Sequence, residues 1–155
     1  MASKSAGILM YKITADGPAV LLVHPGGPFW AKKDDGAWSI PKGEYEPTER
    51  ALDAAKREFF EETGVRVESE CIALTPVRLK SGKLVAAWAC QGDLDVEQIR
   101  GNMFEMEWPP RSGNRRSFPE IDRGEWFTIE LARLKINEAQ AAFLDQLVVL
   151  SAVDE

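Results

Sequence analysis

The sequence predicts one α/β (α+β) domain in which a mixed β-sheet lies between helices. Segments rich in apolar and β-branched residues, which suit strands, occur toward both ends of the chain. Apolar residues at helical spacing predict one helix over residues 47–64 and another over residues 137–150. The chain of 155 residues is long enough for one hydrophobic core, so we assign residues 1–155 to a single domain.

Composition and charge narrow the class of protein. The hydrophobic fraction is 45% and the charged fraction is 28%, which is ordinary for a soluble globular protein. The net charge of -6 argues against a nucleic-acid polymer as partner, because that binding depends on clustered Lys and Arg. A free nucleotide stays compatible with this charge, and we expect a small-molecule partner.

Membrane and redox signals favour a cytoplasmic location. No segment approaches the roughly twenty apolar residues that span a membrane, and the N-terminus lacks the apolar run of a signal peptide. Cys71 and Cys90 are too few and too far apart to suggest a disulfide framework or a zinc site. We predict both as small buried residues in strands, as in a reducing compartment.

The oligomeric state is not decided by the sequence. Exposed tryptophans are compatible with a monomer and with a homodimer.

The chain begins with two strands, predicted over residues 5–14 and 19–24 and joined by a turn. The lone histidine, His24, ends the second strand and is more often a structural residue than a catalyst. A loop over residues 25–36 follows, with two aromatic residues and two lysines: Phe29, Trp30, Lys32 and Lys33. Its aromatic rings could stack on a base while its lysines reach phosphates, or it could be a plain surface loop.

The helix over residues 47–64 has clear signals at both ends. Pro47 or Thr48 suits its start, and Gly64 suits a left-handed residue at its end. An apolar stripe at spacings of three and four predicts packing against a core: Ala51, Leu52, Ala55 and Phe59.

Three acids share one face of this helix, because Glu58, Glu61 and Glu62 stand at i, i+3 and i+4. Their charges repel one another and lie near the negative end of the helix dipole. A bound cation would offset both effects, and clustered carboxylates favour Mg²⁺ or Mn²⁺ over zinc. The alternative is an amphipathic surface helix with a solvated acidic face.

Residues 43–65, GEYEPTERALDAAKREFFEETGV, resemble the Nudix box. Every specified position of that pattern is filled: Gly43, Glu49, Arg57, Glu58, Phe59, Glu61, Glu62, Gly64 and Val65. The preceding residues 38–43 resemble the W-x-x-P-K-G approach of Nudix enzymes that act on dinucleoside polyphosphates. The resemblance implies the Nudix-type α/β/α sandwich over roughly residues 5–150.

The resemblance also implies a function. It implies a divalent-metal-dependent hydrolase of pyrophosphate bonds in nucleoside diphosphate derivatives, with dinucleoside polyphosphates or nucleoside triphosphates as the expected substrates. The alternative is a non-catalytic Nudix-fold module that binds a nucleotide for regulation.

The resemblance assigns roles to residues of the box. Glu58 and Glu62 would be the principal metal ligands, and Glu61 a ligand or the group that orients water. The backbone carbonyl of Lys42 or Gly43 would add an oxygen, and the Lys42 ammonium could contact phosphate.

The resemblance assigns supporting roles to other residues of the box and to one acid outside it. Arg57 and Glu49, taken as two turns apart on the helix, would brace the acids. Gly43 would supply backbone freedom. One acid from outside the box, Glu105, Glu107 or Glu120, would complete the metal site or act as base.

The rest of the chain predicts further strands and helices. We expect a strand over residues 65–75, a hairpin over 77–90, a loop with a helical turn over 92–100, and a strand over 104–108 in which Glu105 and Glu107 share a face. A basic loop over 109–117 could receive the outer phosphates of a substrate through Arg111, Arg115 and Arg116, or be a solvated tip. A strand, a short helix over 128–135 and the last helix follow, the last capped by Asn137 with the stripe Ala141, Leu144, Leu147 and Val148.

Overall fold

The computed structural model describes residues 4–153, and the side chains of residues 4–151. Nine strands occur in this part of the chain: β1 Lys4–Thr14, β2 Gly17–Pro25, β3 Lys42–Glu44, β4 Cys71–Ala73, β5 Val77–Arg78, β6 Leu84–Gln91, β7 Met103–Glu107, β8 Arg115–Pro119 and β9 Ile121–Thr128. The α-helices are α1 Ala51–Thr63, α2 Ile129–Lys135 and α3 Ala141–Val153, with short 3₁₀ helices at Val96–Gln98 and Glu138–Gln140.

The main sheet is mixed, as the sequence predicts. Its strand order is β4-β6-β1-β2-β9, with β3 paired to β1 and β5 paired to β6. Strand β1 runs parallel to β6 and antiparallel to β2 and β3. Its first residues pair with β3, so that Gly7 lies opposite Lys42, and its last residues pair with β2. The centre of the sheet therefore holds the segment that leads into α1.

Helices cover both faces of this sheet, which confirms the predicted sandwich. Successive residues of a strand point to opposite faces, so Ile8 and Leu9 of β1 enter different cores. On one face, Ala54, Ala55 and Phe59 of α1 are fully buried. On the other face the sheet packs against α2 and α3, whose buried residues are Ala132, Phe143, Leu144 and Leu147.

Several predicted boundaries differ from those observed. Of the strand predicted over residues 65–75, only β4 forms, because the intervening polar residues make no ladder with β6. The basic loop predicted over 109–117 is shorter, because Arg115 and Arg116 already belong to β8. Val148 is 38% exposed and lies outside the buried stripe of α3, which includes Phe143 instead.

The prediction of two unpaired cysteines is wrong. Cys71 and Cys90 do lie in strands, but they are register partners in β4 and β6 and form a disulfide, with 4.5 Å between their Cα atoms. Sequence spacing alone could not reveal this, because the pairing of an edge strand brings the two residues together.

No helix within residues 4–153 combines the length and the apolar character needed to cross a membrane.

Candidate functional site

Helix α1 carries the acids toward β3, at the centre of the sheet. Its apolar residues fix one face against the core, and the side chains of Glu58 and Glu62 reach Gly43 and Lys42 of β3. Gly64 ends the helix with φ 81° and donates its N–H to the carbonyl of Phe60, as predicted. The predicted start is wrong: Pro47 and Thr48 lie in a turn, and the helix begins at Ala51 without a side-chain cap.

Glu62 is the most buried acid of this cluster. The backbone N–H of Lys42 donates to its Oε2 at 3.0 Å. Burial raises the pKa of Glu62 to about 8, although that hydrogen bond and the Lys42 ammonium oppose the shift. Burial, together with the charge of Lys83, lowers the pKa of Lys42. A largely buried carboxyl group and a largely buried amino group therefore lie at the junction of β3 and α1.

Glu58 lies directly against the backbone of β3. A Cβ atom at Gly43 would overlap the Glu58 carboxyl group, so only glycine fits there. Gly43 has no positive φ, and the predicted need for backbone freedom is therefore wrong. The residue is small because a carboxylate occupies the space of its side chain. Burial raises the pKa of Glu58, against the effect of Arg57.

Arg57 joins the acids to the turn before the helix. Its Nε and Nη2 donate to the two carboxylate oxygens of Glu49 at 2.8 and 2.9 Å. Its Nη1 donates to Glu58 at 2.9 Å and to Glu61 at 3.2 Å. These contacts, led by Glu49, raise the pKa of Arg57. The predicted spacing of two helical turns is wrong because Glu49 precedes the helix.

Of the three acids that the sequence left open, the structure brings Glu120 to the cluster. Its charge contributes to the raised pKa of both Glu58 and Glu62. Glu105 and Glu107 lie on β7, where Glu105 is 3.9 Å from Arg115 and Glu107 accepts the backbone N–H of Arg111. Both are exposed on the two-stranded sheet.

The donor set suits a hard cation, but the acids are not arranged around one. Within residues 4–153, no three His, Cys, Asp or Glu side chains are grouped so that they could hold a metal ion. Arg57 bonds Glu58 and Glu61, and Glu62 is bonded to Lys42, so those carboxylates already have partners. All the available donors are nevertheless oxygens, and the burial of Glu62 as a carboxylate is a cost that a divalent cation would offset.

The loop over residues 25–36 is anchored at both ends and exposed between them. His24 is fully buried, with Nδ1 at 2.9 Å from Asp122 and Nε2 at 2.6 Å from the Lys33 carbonyl, which agrees with a structural role. Asp34 accepts from Trp38 and Lys135, and the Lys135 contact lowers the pKa of Asp34. Phe29 is 66% exposed and Trp30 is 40% exposed, and Lys32 is exposed beside them.

Gln140 supports the approach to the site, and sequence analysis missed this role. Its side chain accepts the backbone N–H of Ile40 at 3.1 Å and donates to Ser39 Oγ at 3.0 Å. This contact fixes the residues before Lys42 from the α3 side of the sheet. No local pattern could reveal it, because the partners lie 100 positions apart.

Strands β7 and β8 form a separate hairpin with two different faces. Phe104 pairs with Phe118 and Met106 with Arg116, so these four residues share one face, which Trp108 extends. We call Phe104, Met106, Trp108, Arg116 and Phe118 the aromatic face. The opposite face carries Met103, Glu105, Glu107, Arg115 and Ser117. The two predicted arginines, Arg115 and Arg116, therefore point in opposite directions.

The fold of this chain is similar to that of solved α/β structures. The Caenorhabditis elegans Ap4A hydrolase binary complex has a TM-score of 0.66 over 97% of this chain and 98% of the other, at 21% identity. The NUDIX domain of Shewanella oneidensis NrtR, solved with ADP ribose, has a TM-score of 0.64 over 95% and 86%, at 15% identity. At these identities the likeness shows the fold alone.

The sequence comparison is more specific. The NUDIX domain profile matches residues 3–147. An RNA pyrophosphohydrolase of Bartonella tribocorum is 29% identical over 108 residues, which are 60% of this chain and 57% of that relative. The chain belongs to the NUDIX domain family. Its match spans little more than half the length of this curated relative.

Proposed function

We propose that the protein is a divalent-metal-dependent pyrophosphohydrolase of nucleoside diphosphate derivatives, with dinucleoside polyphosphates and nucleoside triphosphates as the expected substrates. One observation carries the proposal: Glu58 and Glu62 lie against β3, where Lys42 N–H holds Glu62, and Arg57 holds Glu61 beside Glu58. The names of two similar proteins, the Bartonella RNA pyrophosphohydrolase and the C. elegans Ap4A hydrolase, support the same reaction class.

The glutamates and the adjacent backbone would hold the metal. Glu58 and Glu62 are the proposed principal ligands, with Glu61 and the carbonyl of Lys42 or Gly43 as further oxygens. Mg²⁺ or Mn²⁺ bound there would neutralise phosphate oxygens and make water a stronger nucleophile at neutral pH. Arg57 keeps Glu58 and Glu61 at a fixed separation, so that they remain close despite their repulsion.

Two further groups complete the proposed catalytic site. Glu120 is close to Glu58 and Glu62 and exposed, so it is the group we assign to accept the proton of the attacking water. The Lys42 side chain, which is largely buried, is the group we assign to the phosphate next to the cleaved bond.

Substrate contacts farther out are assigned to the exposed residues near this site. Trp30 and Lys32 lie on the loop over 25–36, and Arg116 lies on the aromatic face of the hairpin. Arg115 lies on the opposite face beside Glu105, and we leave it out of the proposed site. A cytoplasmic location and a monomeric or homodimeric state stay predictions, and the Cys71–Cys90 disulfide removes the cysteine argument for the former.

Mass spectrometry of products formed in ¹⁸O-water tests the function. Wild type and Glu62→Gln are incubated with Mg²⁺ and a panel of nucleotide substrates. We expect cleavage by wild type alone, with ¹⁸O in the phosphate that was attacked. Failure of wild type to cleave any member of the panel would contradict the proposal, and tight nucleotide binding without cleavage would favour the non-catalytic alternative.

A further inference from the structure

The aromatic face of the hairpin packs against the loop over residues 25–36. A Cβ atom at Gly27 would lie 2.9 Å from Cζ of Phe104, so the loop backbone lies directly on this face. Two residues farther on, Phe29 meets Trp108 edge to face, with ring centroids 6.2 Å apart. Loop and hairpin thus form the two sides of one aromatic corner, in which Phe29 stays 66% exposed.

This corner is continuous with the acids. Glu120 directly follows β8, and its carbonyl accepts the N–H of Gly26 at 2.8 Å, at the start of the same loop. Trp108 lies at the other end of the hairpin, where its N–H donates to the Asn114 carbonyl. At roughly 3.3 Å per residue, the hairpin separates Trp108 from Glu120 by roughly 20 Å. A group bound at the corner is therefore separated from the acids by more than one phosphate.

Charge on the aromatic face suits a phosphate chain that crosses this distance. Arg116 lies between the acids and the corner, next to Met106 across the strand pair. Within the described part of the chain it forms no ion pair, whereas Arg115 on the opposite face is 3.9 Å from Glu105. A guanidinium without an acidic partner is available to an anion.

We propose that the Phe29–Trp108 corner binds the second nucleoside of a dinucleoside polyphosphate, while Arg116 contacts the phosphates between that nucleoside and the cleaved bond. This inference rests on the proposed function and narrows its substrate class. A single aromatic pair accommodates one base, whereas a single-stranded polymer would use a series of stacking positions along a basic groove. The net charge of -6 also favours a small ligand over RNA.

A matched pair of substrates tests the corner. Diadenosine tetraphosphate and adenosine 5′-tetraphosphate have the same phosphate chain and differ in the second adenosine. We expect Phe29→Leu to lower kcat/KM about tenfold for the first substrate and less than about twofold for the second, because the loss of base stacking affects the distal base alone. Equal losses for both substrates, or none for either, would overturn the assignment.

A matched pair of variants tests the phosphate contact. Arg116→Gln and Arg115→Gln remove the same charge from opposite faces of one hairpin. Calorimetry with a methylene-bridged diadenosine tetraphosphate analogue and Mg²⁺ measures binding without cleavage. We expect Arg116→Gln to raise Kd about tenfold and Arg115→Gln to raise it less than about twofold. Equal effects would contradict the assignment, as would wild type that fails to bind the analogue.

These measurements separate the inference from the function on which it rests. Wild type that binds the analogue with the expected variant pattern but cleaves nothing would overturn the function and leave the binding site. Wild type that cleaves both tetraphosphates, with variants unchanged, would overturn the site and leave the function. A 5′-triphosphorylated RNA oligonucleotide could instead bind more tightly than the analogue and lose this tighter binding in Arg116→Gln. That result would overturn the inference, because the ligand of the site would then be RNA and not a dinucleotide.

Discussion

The box acids and the hairpin corner differ in how their side chains are held. Glu58, Glu61 and Glu62 are joined through Arg57 and the backbone of β3, and Glu62 is mostly buried. Phe29 and Arg116 are exposed and make few contacts. A substitution among the acids should therefore disturb the neighbouring side chains of that cluster. A substitution at Phe29 or Arg116 should affect only the groups in direct contact with it. This difference suits a fixed reaction centre beside an adaptable specificity surface.

Glu62→Gln should have the largest effect on activity. It removes the charge of the most buried acid, and we expect kcat to fall on the order of 100-fold or more, since acids that act as a group lose function together. Steady-state hydrolysis with Mg²⁺ measures this, with Glu68→Gln, an exposed acid beyond the helix, as control. A fall in kcat of less than tenfold would contradict the assignment of Glu62 as a principal metal ligand.

Gly43→Ala should come next, because its methyl group would displace the Glu58 carboxylate. We expect about a tenfold or greater loss of kcat/KM, with a loss of unfolding free energy of about 1–3 kcal/mol from overpacking. Gly82→Ala is the matched control: its φ of 92° makes it costly too, but nothing lies near its Cβ position. Comparable activity losses in both variants would attribute the effect to stability alone.

Arg57→Lys should have a smaller effect on activity than Glu62→Gln. Lysine keeps the charge but cannot bridge Glu49, Glu58 and Glu61 at once, so we expect kcat to fall roughly 10-fold to 100-fold. The combined variant Arg57→Lys with Glu49→Gln should lose little more than Arg57→Lys alone, since both remove one contact. Additive losses in this double-mutant cycle would argue against a shared clamp.

Stability of the metal-free protein should depend on pH through Glu62. Its pKa is raised to about 8, whereas in the unfolded chain it lies near the ordinary value of 4.5. The folded state therefore holds a proton that the unfolded state loses, and the free energy of unfolding should fall as pH rises from about 4.5 to about 8. Glu58, whose pKa is also raised by burial, acts in the same direction.

Urea unfolding in chelator across this pH range measures the dependence. Glu62→Gln should reduce the decline of the unfolding free energy with pH. In wild type, Mg²⁺ should also reduce this decline, because a bound cation favours the carboxylate form. An unfolding free energy that rises between pH 5 and pH 8 in chelator would contradict the burial argument.

Phe29→Leu should have the smallest effect on stability. Because Phe29 is 66% exposed, we expect its replacement to change the free energy of unfolding by less than about 0.5 kcal/mol. Chemical denaturation measures this change. A larger loss would mean that the Phe29–Trp108 contact holds the loop and the hairpin together, and the corner would then resemble the acid site in its dependence on neighbours.

Much of the acid site was readable from the sequence because its members lie close together on one helix. The spacing of Glu58, Glu61 and Glu62 placed them on one face, and Gly64 marked the end of α1. The start of α1 was not readable, because Pro47 and Thr48 serve a turn as well as a helix and no side chain caps Ala51. The sequence predicts a need for backbone freedom at Gly43, whereas the structure requires its small size.

The errors elsewhere share a physical cause, which is contact between distant segments. Cys71 and Cys90 pair because β4 joins the edge of β6. Glu49 reaches Arg57 because the chain turns before the helix. The choice of Glu120 over Glu105 and Glu107 depended on which end of the hairpin meets the acids.

By itself the sequence determined the mixed sheet between helices, the family and the acidic face of α1, since each follows from residue type and local spacing. The tertiary structure alone decided how those acids are held, which distant acid joins them, and which face of the hairpin carries Arg116. These features depend on strand register and on burial, and both arise only when segments far apart in the chain pack together.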